Sequence, residues 1–207
     1  MLNKNVVLVG YSGHGLVVAE AARLNRFRVK SYTEIEPVKN NPFNLEYLGF
    51  EGDPTFGGWA ENDYFILGIG DNRIRQKVAD RILANGKSTL NVMHPSISLS
   101  RMVEMGSGNF FARHVSISLL VRIGSNCILN TGTIIEHECE LGNAVHIAPG
   151  AVLAGNVKVG NFSFVGANAV VKQGIRIGKN VTIGAGTVVL SDVQDGVTMV
   201  GNPPREI

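Results

Sequence analysis

The chain has 207 residues, of which 44% are hydrophobic and 17% charged, and its formal net charge is +2. That balance supplies enough apolar side chain for a sizeable core and too little charge for a disordered chain. Its Lys and Arg are scattered rather than gathered on a basic face, so nucleic acid is not an expected partner.

The opening segment, MLNKNVVLVG, has one short apolar run that ends in a glycine turn. Neither a secretory signal nor a membrane span is expected, and the cytoplasm is the expected location. Residues 5–9 read as a buried strand, followed by Gly10-Tyr11-Ser12-Gly13-His14-Gly15 and a helical stretch over residues 16–24. Strand, glycine loop and helix together let backbone N–H groups approach a phosphate at a helix N-terminus. The spacing is GxxGxG, not the GxGxxG of dinucleotide folds, so NAD is not the expected ligand.

A second strand over residues 28–33 ends at Thr33-Glu34. The carboxylate there can accept hydrogen bonds from a base or ribose, or it can be a solvated loop group. Residues 36–58, with Pro37, Pro42 and Pro54, read as a connecting loop holding a short strand at 45–50. A third strand, 64–69, leads into Gly70-Asp71-Asn72 and a helix expected to carry Ile74, Val78, Ile82 and Leu83 on one face, capped by Asp71 or Asn72. Both glycine turns then lie at the carboxyl edge of one parallel sheet, where open α/β folds bind ligands. A last short strand, 89–93, ends at His94-Pro95. Residues 1–95 are therefore expected to form a Rossmann-like α/β domain.

From Leu99 to Val189 every sixth residue is large and apolar, and the residue four places after each is nearly always small or β-branched. Cys127 and Cys139 occupy two of those small positions, without CxxC or metal-ligand spacing, and read as core thiols. Glycine often follows the large residue, as at Gly106, Gly124, Gly142, Gly160, Gly166, Gly178 and Gly184. This is the hexapeptide repeat of a parallel β-helix, with three units to a coil and sixteen units to about five coils. Glycine and Asn are expected to supply its turn conformations. The solenoid domain spans 96–207, and Pro203-Pro204 is expected to end the last coil.

Four segments, GYSGHG, GIGDNRIRQK, NTGTIIEHECELGNAVHIAPGAVLAGNVKVG and GNPPR, resemble the NeuD/PglD group of sugar acyltransferases over nearly the whole chain. Within it the chain looks most like bacterial N-acetyltransferases acting on UDP-linked 4-amino-4,6-dideoxy sugars. The resemblance implies a left-handed β-helix, acetyl-CoA as co-substrate, a nucleotide-linked amino sugar as acceptor, and a homotrimer with sites shared between subunits. It implies His137 as general base, Glu138 as the partner that raises its basicity, and His146, Ala167 and Ala185 beside acetyl-CoA. Ser12, Gly13, His14 and Gly70 match the nucleotide-sugar cradle. Where the family often has an Asp-Asp pair after the second strand, this chain has Thr33-Glu34. The other acceptors considered are a sialic-acid-type hydroxyl and a GDP- or TDP-linked amino sugar.

The chemistry asked of these residues is ordinary. A sugar amine attacks a thioester only after shedding a proton, and imidazole titrates in the right range to take it. A neighbouring carboxylate can hold the far ring nitrogen and stabilise the imidazolium. Carbonic-anhydrase-type solenoids use three histidines on a metal. Here His137 and His146 are nine residues apart and His114 has no matching spacing, so no metal is expected, and His94 and His114 carry no assignment.

Overall fold

A computed structural model describes residues 5–207; Met1–Lys4, the start of the opening segment, lie outside the described residues. The chain divides into two compact units, Met1–Pro95 and Ser96–Ile207.

The first unit is an α/β unit. Its described elements are β1 (Asn5–Val9), α1 (Gly13–Leu24), β2 (Arg28–Thr33), β3 (Glu46–Tyr47), α2 (Gly58–Glu61), β4 (Tyr64–Leu67), α3 (Asn72–Ala84) and β5 (Ser88–Thr89), with a separate two-residue strand at Val92–Met93, so the stretch expected as one strand over 89–93 holds two. Strands β1 to β5 form one parallel sheet in the order β3-β2-β1-β4-β5. Apolar residues run almost unbroken along β1 and β4 because both faces of a parallel sheet are covered. On one face Val7, Val9, Phe65 and Leu67 pack with Val78, Ala79 and Ile82 of α3. On the other, Val6, Leu8 and Ile66 are buried, as are Val18, Ala19 and Ala22 of α1.

Two local readings change. The inward face of α3 is Arg75, Val78, Ala79 and Ile82, while Ile74 is 56% and Leu83 72% exposed. Spacing of i, i+3, i+4, i+7 keeps to one side of a helix, whereas the 74/78/82 row drifts around it. Between the proline-containing connection and β4 stands α2, a single turn absent from the sequence reading.

The second unit is a left-handed parallel β-helix of triangular cross-section. One face stacks Ser116–Ile117, Ile134–Ile135, Val152–Leu153, Val170–Val171 and Val188–Val189. The second stacks Arg122–Ile123, Glu140–Leu141, Lys158–Val159 and Arg176–Ile177. The third stacks Phe110–Phe111, Ile128–Leu129, His146–Ile147, Phe164–Val165 and Thr182–Ile183. Each strand pairs with one eighteen residues on, which is three hexads. The second residue of each pair points inward and the first outward, so Ile135, Ile147, Leu153 and Val165 are fully buried. The small positions are equally buried, Cys127, Thr133, Cys139 and Ala151 among them. Burial pushes the Cys139 thiol up to about 11, so it stays protonated and inert.

Glycine and Asn supply the turn conformations as expected, but the glycines that follow the large residues have a different task. The left-handed backbone falls three places after each large residue, at Asn126, Gly132, Glu138, Ala144, Gly150, Asn156, Phe162 and Asn168, with φ between 54° and 69°. The glycines directly after the large residue are not left-handed; they are small because coils touch there. A Cβ on Gly124 would sit 2.5 Å from Asn143 Oδ1, and one on Gly160 would sit 2.6 Å from the Gly178 backbone. The parallel stacking runs to Thr198–Val200 and stops at the turn that holds Pro203-Pro204, after which Arg205–Glu206 pairs antiparallel. The eighteen-residue register shortens to sixteen where Ile177 bridges Val193 and Ile183 pairs with Met199.

Candidate functional site

In the α/β unit the two glycine loops cross at the carboxyl edge of the sheet. Gly10 has φ +86°, and Cβ atoms on Gly15 or Gly68 would run into the Gly10 carbonyl oxygen, so these three glycines let the loops pack. Gly13 and Gly70 differ: a Cβ on either would meet nothing within 4 Å. A cavity of about 350 Å³ opens beside the crossing, lined by Gly10, Ser12, Thr33, Glu34, Phe50, Glu51, Ile69, Gly70, Lys77 and Arg81. That volume is within the range of small-ligand sites. The structure thus brings Ser12, Thr33, Glu34 and Gly70 to one cavity, whereas Gly13 and His14 are not in its lining.

The polar walls are set by contacts across the sequence. Glu34 Oε1 accepts the Tyr11 N–H at 2.7 Å. The Thr33 hydroxyl, fully buried, donates to Glu51 Oε2 at 2.9 Å, and Arg81 Nη1 donates to Glu51 Oε1 at 2.9 Å. Glu51 is buried, so this pairing lets a carboxylate sit inside the wall. Neither Glu51 nor Arg81 was singled out from sequence; Glu51 lies in the proline-containing connection and has no motif around it. Burial pulls the His14 imidazole down to about 4, with the Arg75 guanidinium acting in the same direction, so His14 is neutral at pH 7.

In the solenoid, His137 and Glu138 occupy the corner between the first and second faces. The His137 Nδ1 to Glu138 Oε2 distance is 3.0 Å, and both side chains are about half exposed, at 50% and 59%. Glu138 holds φ +62°, a conformation costing a residue with a Cβ about 1–2 kcal/mol. One coil further on, Gly155 faces the imidazole, and a Cβ there would lie 2.5 Å from His137 Cε1 and 2.6 Å from Nε2. The ring therefore rests against a backbone that only glycine keeps clear. Gly155 escaped the sequence reading because it belongs to neither glycine series of the repeat.

His146 lies on the third face, edge-on to Phe164 with ring centroids 5.1 Å apart, and its Nε2 is 3.5 Å from Asn130 Nδ2. Ala167 and Ala185 stack eighteen residues apart at the corner between the third and first faces, where the Gly186 N–H donates to the Ala167 carbonyl at 2.8 Å. Within one chain, then, the first face separates His137 from the two alanines. Among the described residues no group of three His, Cys, Asp or Glu side chains is placed to hold a metal, and no helix is long and apolar enough to cross a membrane.

Residues 5–82 match the model of the PglD N-terminal domain. Residues 121–155 and 156–191 match the bacterial transferase hexapeptide model, which describes six repeats. The mutant GDP-perosamine N-acetyl transferase of Caulobacter crescentus, solved with CoA and GDP-perosamine, is 33% identical with a TM-score of 0.93, covering 99% of this chain and 97% of that one. The chain belongs to the PglD-like family of hexapeptide transferases. A second similar structure, the acetyltransferase domain of PglB from Neisseria gonorrhoeae with acetyl coenzyme A, is 27% identical with a TM-score of 0.91, covering 99% of this chain and 100% of that one. The UDP-N-acetylbacillosamine N-acetyltransferase of Bacillus subtilis is 32% identical over 112 residues, a match spanning 51% of this chain and half the length of that relative.

Proposed function

We propose that this protein is an acetyl-CoA-dependent N-acetyltransferase that acts on the 4-amino group of a UDP-linked amino-dideoxy sugar, with His137 as general base. The observation that carries the reading is the His137–Glu138 pair, held at 3.0 Å on a rigid corner of a PglD-like solenoid. Glu138 engages Nδ1 and leaves Nε2 to face the acceptor. As the sugar nitrogen attacks the thioester carbon, its proton passes to Nε2, and Glu138 stabilises the imidazolium that forms. The tetrahedral oxyanion then collapses, the C–S bond breaks, and CoA leaves as thiolate. His146, with Ala167 and Ala185, is assigned to the acetyl-CoA side of the site; Ser12, Gly13, His14, Thr33, Glu34 and Gly70 are assigned to the nucleotide sugar. We place the reaction in the cytoplasm.

The separation of corners supports a homotrimer. His137 of one chain and the Ala167 and Ala185 corner of another can line one cleft, although in a single chain a face stands between them. That face carries Ile134 and Val170, 38% and 41% exposed, in register with the half-exposed Val152 and Val188. An outward apolar column of this kind suits a symmetric contact.

A GDP-linked acceptor is the second reading, and Glu34 favours it. Its Oε2 has no partner among the described residues. A carboxylate oxygen at a base edge pairs with N–H donors, and guanine offers two side by side where uracil offers one between two carbonyls. One panel decides: acetyl-CoA with UDP-, GDP- and TDP-linked 4-amino sugars and a sialic acid, followed by thiol release. Turnover is expected on an amino sugar and not on the hydroxyl acceptor, with His137→Ala lowering kcat by about 10²–10⁴. Full activity in His137→Ala would end the general-base assignment.

A further inference from the structure

We propose that Arg75, buried inside α3 and outside any contact with substrate, is the residue that aims the Gly70 loop at the diphosphate of the nucleotide sugar. The inference rests on the nucleotide-sugar reading of the cavity and concerns how that cavity is built.

Arg75 is 1% exposed, on the face of α3 where the helical spacing calls for an apolar side chain. Burying a guanidinium costs several kcal/mol unless strong hydrogen bonds offset it. Its Nη1 donates to the Ile69 carbonyl at 3.1 Å and the Gly70 carbonyl at 2.8 Å, and its Nη2 donates to Asn72 Oδ1 at 2.8 Å. Two successive carbonyls of the loop are thereby turned to one side. In a trans peptide the N–H points opposite to the preceding C=O. Fixing the Ile69 and Gly70 carbonyls on the guanidinium therefore directs the Gly70 and Asp71 N–H groups away from it.

Those two N–H groups have no acceptor among the described residues. The N–H groups that follow at Arg73 and Ile74 are already taken by Asp71 Oδ1, at 2.9 and 2.8 Å. Gly70 lines the cavity, and a Cβ there would meet nothing, so an anion has clear access to the loop backbone. Preset donors facing the place where charge arrives need no reorganisation when it does. The Arg75 positive charge behind the loop adds to the potential of the α3 N-terminus. A lysine in its place would keep the charge and lose the planar fork that holds two carbonyls together.

The test compares wild type, Arg75→Met and Arg75→Lys in the full-length protein. Dissociation constants for UDP, GDP, uridine and guanosine are measured by NMR titration, with KM for acetyl-CoA and the thermal midpoint beside them. The preference for diphosphate over nucleoside is expected to fall about tenfold or more in Arg75→Met, a change of about 1.4 kcal/mol. Arg75→Lys is expected to recover part of that preference and not all of it, with KM for acetyl-CoA unchanged in each folded variant. If Arg75→Met fails to fold, the same ratio in Arg75→Lys decides. Equal loss of nucleoside and diphosphate binding would mark Arg75 as a support of the whole cavity and overturn the proposal, as would an unchanged ratio. A wild type that binds neither diphosphate overturns the nucleotide reading itself, a result separable from an altered or unaltered ratio in the variants.

Discussion

The two units build their sites in opposite ways. The solenoid repeats one small design many times, and its candidate residues stand where the design departs from its usual form: a Glu in a left-handed slot that glycine and Asn fill more often than any other residue, and a glycine off the repeat, beneath His137. The α/β unit has no repeat to break. Its cavity exists because two loops more than fifty residues apart cross through three glycines, and because Glu51 and Arg81, thirty residues apart, meet in its wall. A site in a periodic fold is thus an exception in sequence, whereas a site at a sheet edge is a meeting of distant segments.

Among variants that keep His137 in place, the largest effect should come from filling the space under the imidazole. Gly155→Ala displaces the ring of His137, and a shift near 1 Å in a catalytic group costs about 10² in rate. The expected result is a fall in kcat of about that size with the thermal midpoint little changed, because the imidazole is exposed and can move aside. Unchanged kcat would mean the ring position on this corner is unimportant.

Glu138→Gly probes the same exception from the side of stability. It removes left-handed strain of about 1–2 kcal/mol, offset in part by the entropy glycine adds to the unfolded chain. The variant should melt at or above the wild-type temperature while kcat falls about tenfold. Lower stability would show that the carboxylate supports the fold more than its backbone strains it.

A variant on the second solenoid face should do least. Glu140 lies between Lys158 Nζ at 2.8 Å and Arg122 Nη1 at 3.6 Å, and the Lys158 hydrogen bond chiefly holds its carboxyl below the usual range. Because the folded value lies below 4.5, the stabilisation is complete above that pH and lost as pH falls through the folded value. Glu140→Gln should cost no more than about 0.5 kcal/mol near pH 7, as befits exposed pairs, and nothing once the carboxyl is protonated. Urea denaturation at pH 7 and pH 3 measures both.

Much of this molecule was legible as sequence. Six-residue periodicity identifies the inward column directly, since a side chain such as Ile135 is buried by its place in the hexad and by little else. The strand and glycine loop at Asn5–Gly10 and the capping Asp71 are likewise local chemistry. His137 and Glu138 are adjacent in sequence, so their pairing needed only a turn to form.

Contacts between coils and between loops are another matter, because they depend on residues that share no local pattern. Glycine at Gly124 and Gly160 is required by the next coil, not by its own turn, and nothing within the hexad says so. Arg75 looks like one more charge on an amphipathic helix until the fold turns it inward onto the Ile69 and Gly70 carbonyls. Short-range order is encoded in propensity and period, which one segment carries alone. Close approach and buried charge are properties of pairs, and those pairs existed only once the chain had folded.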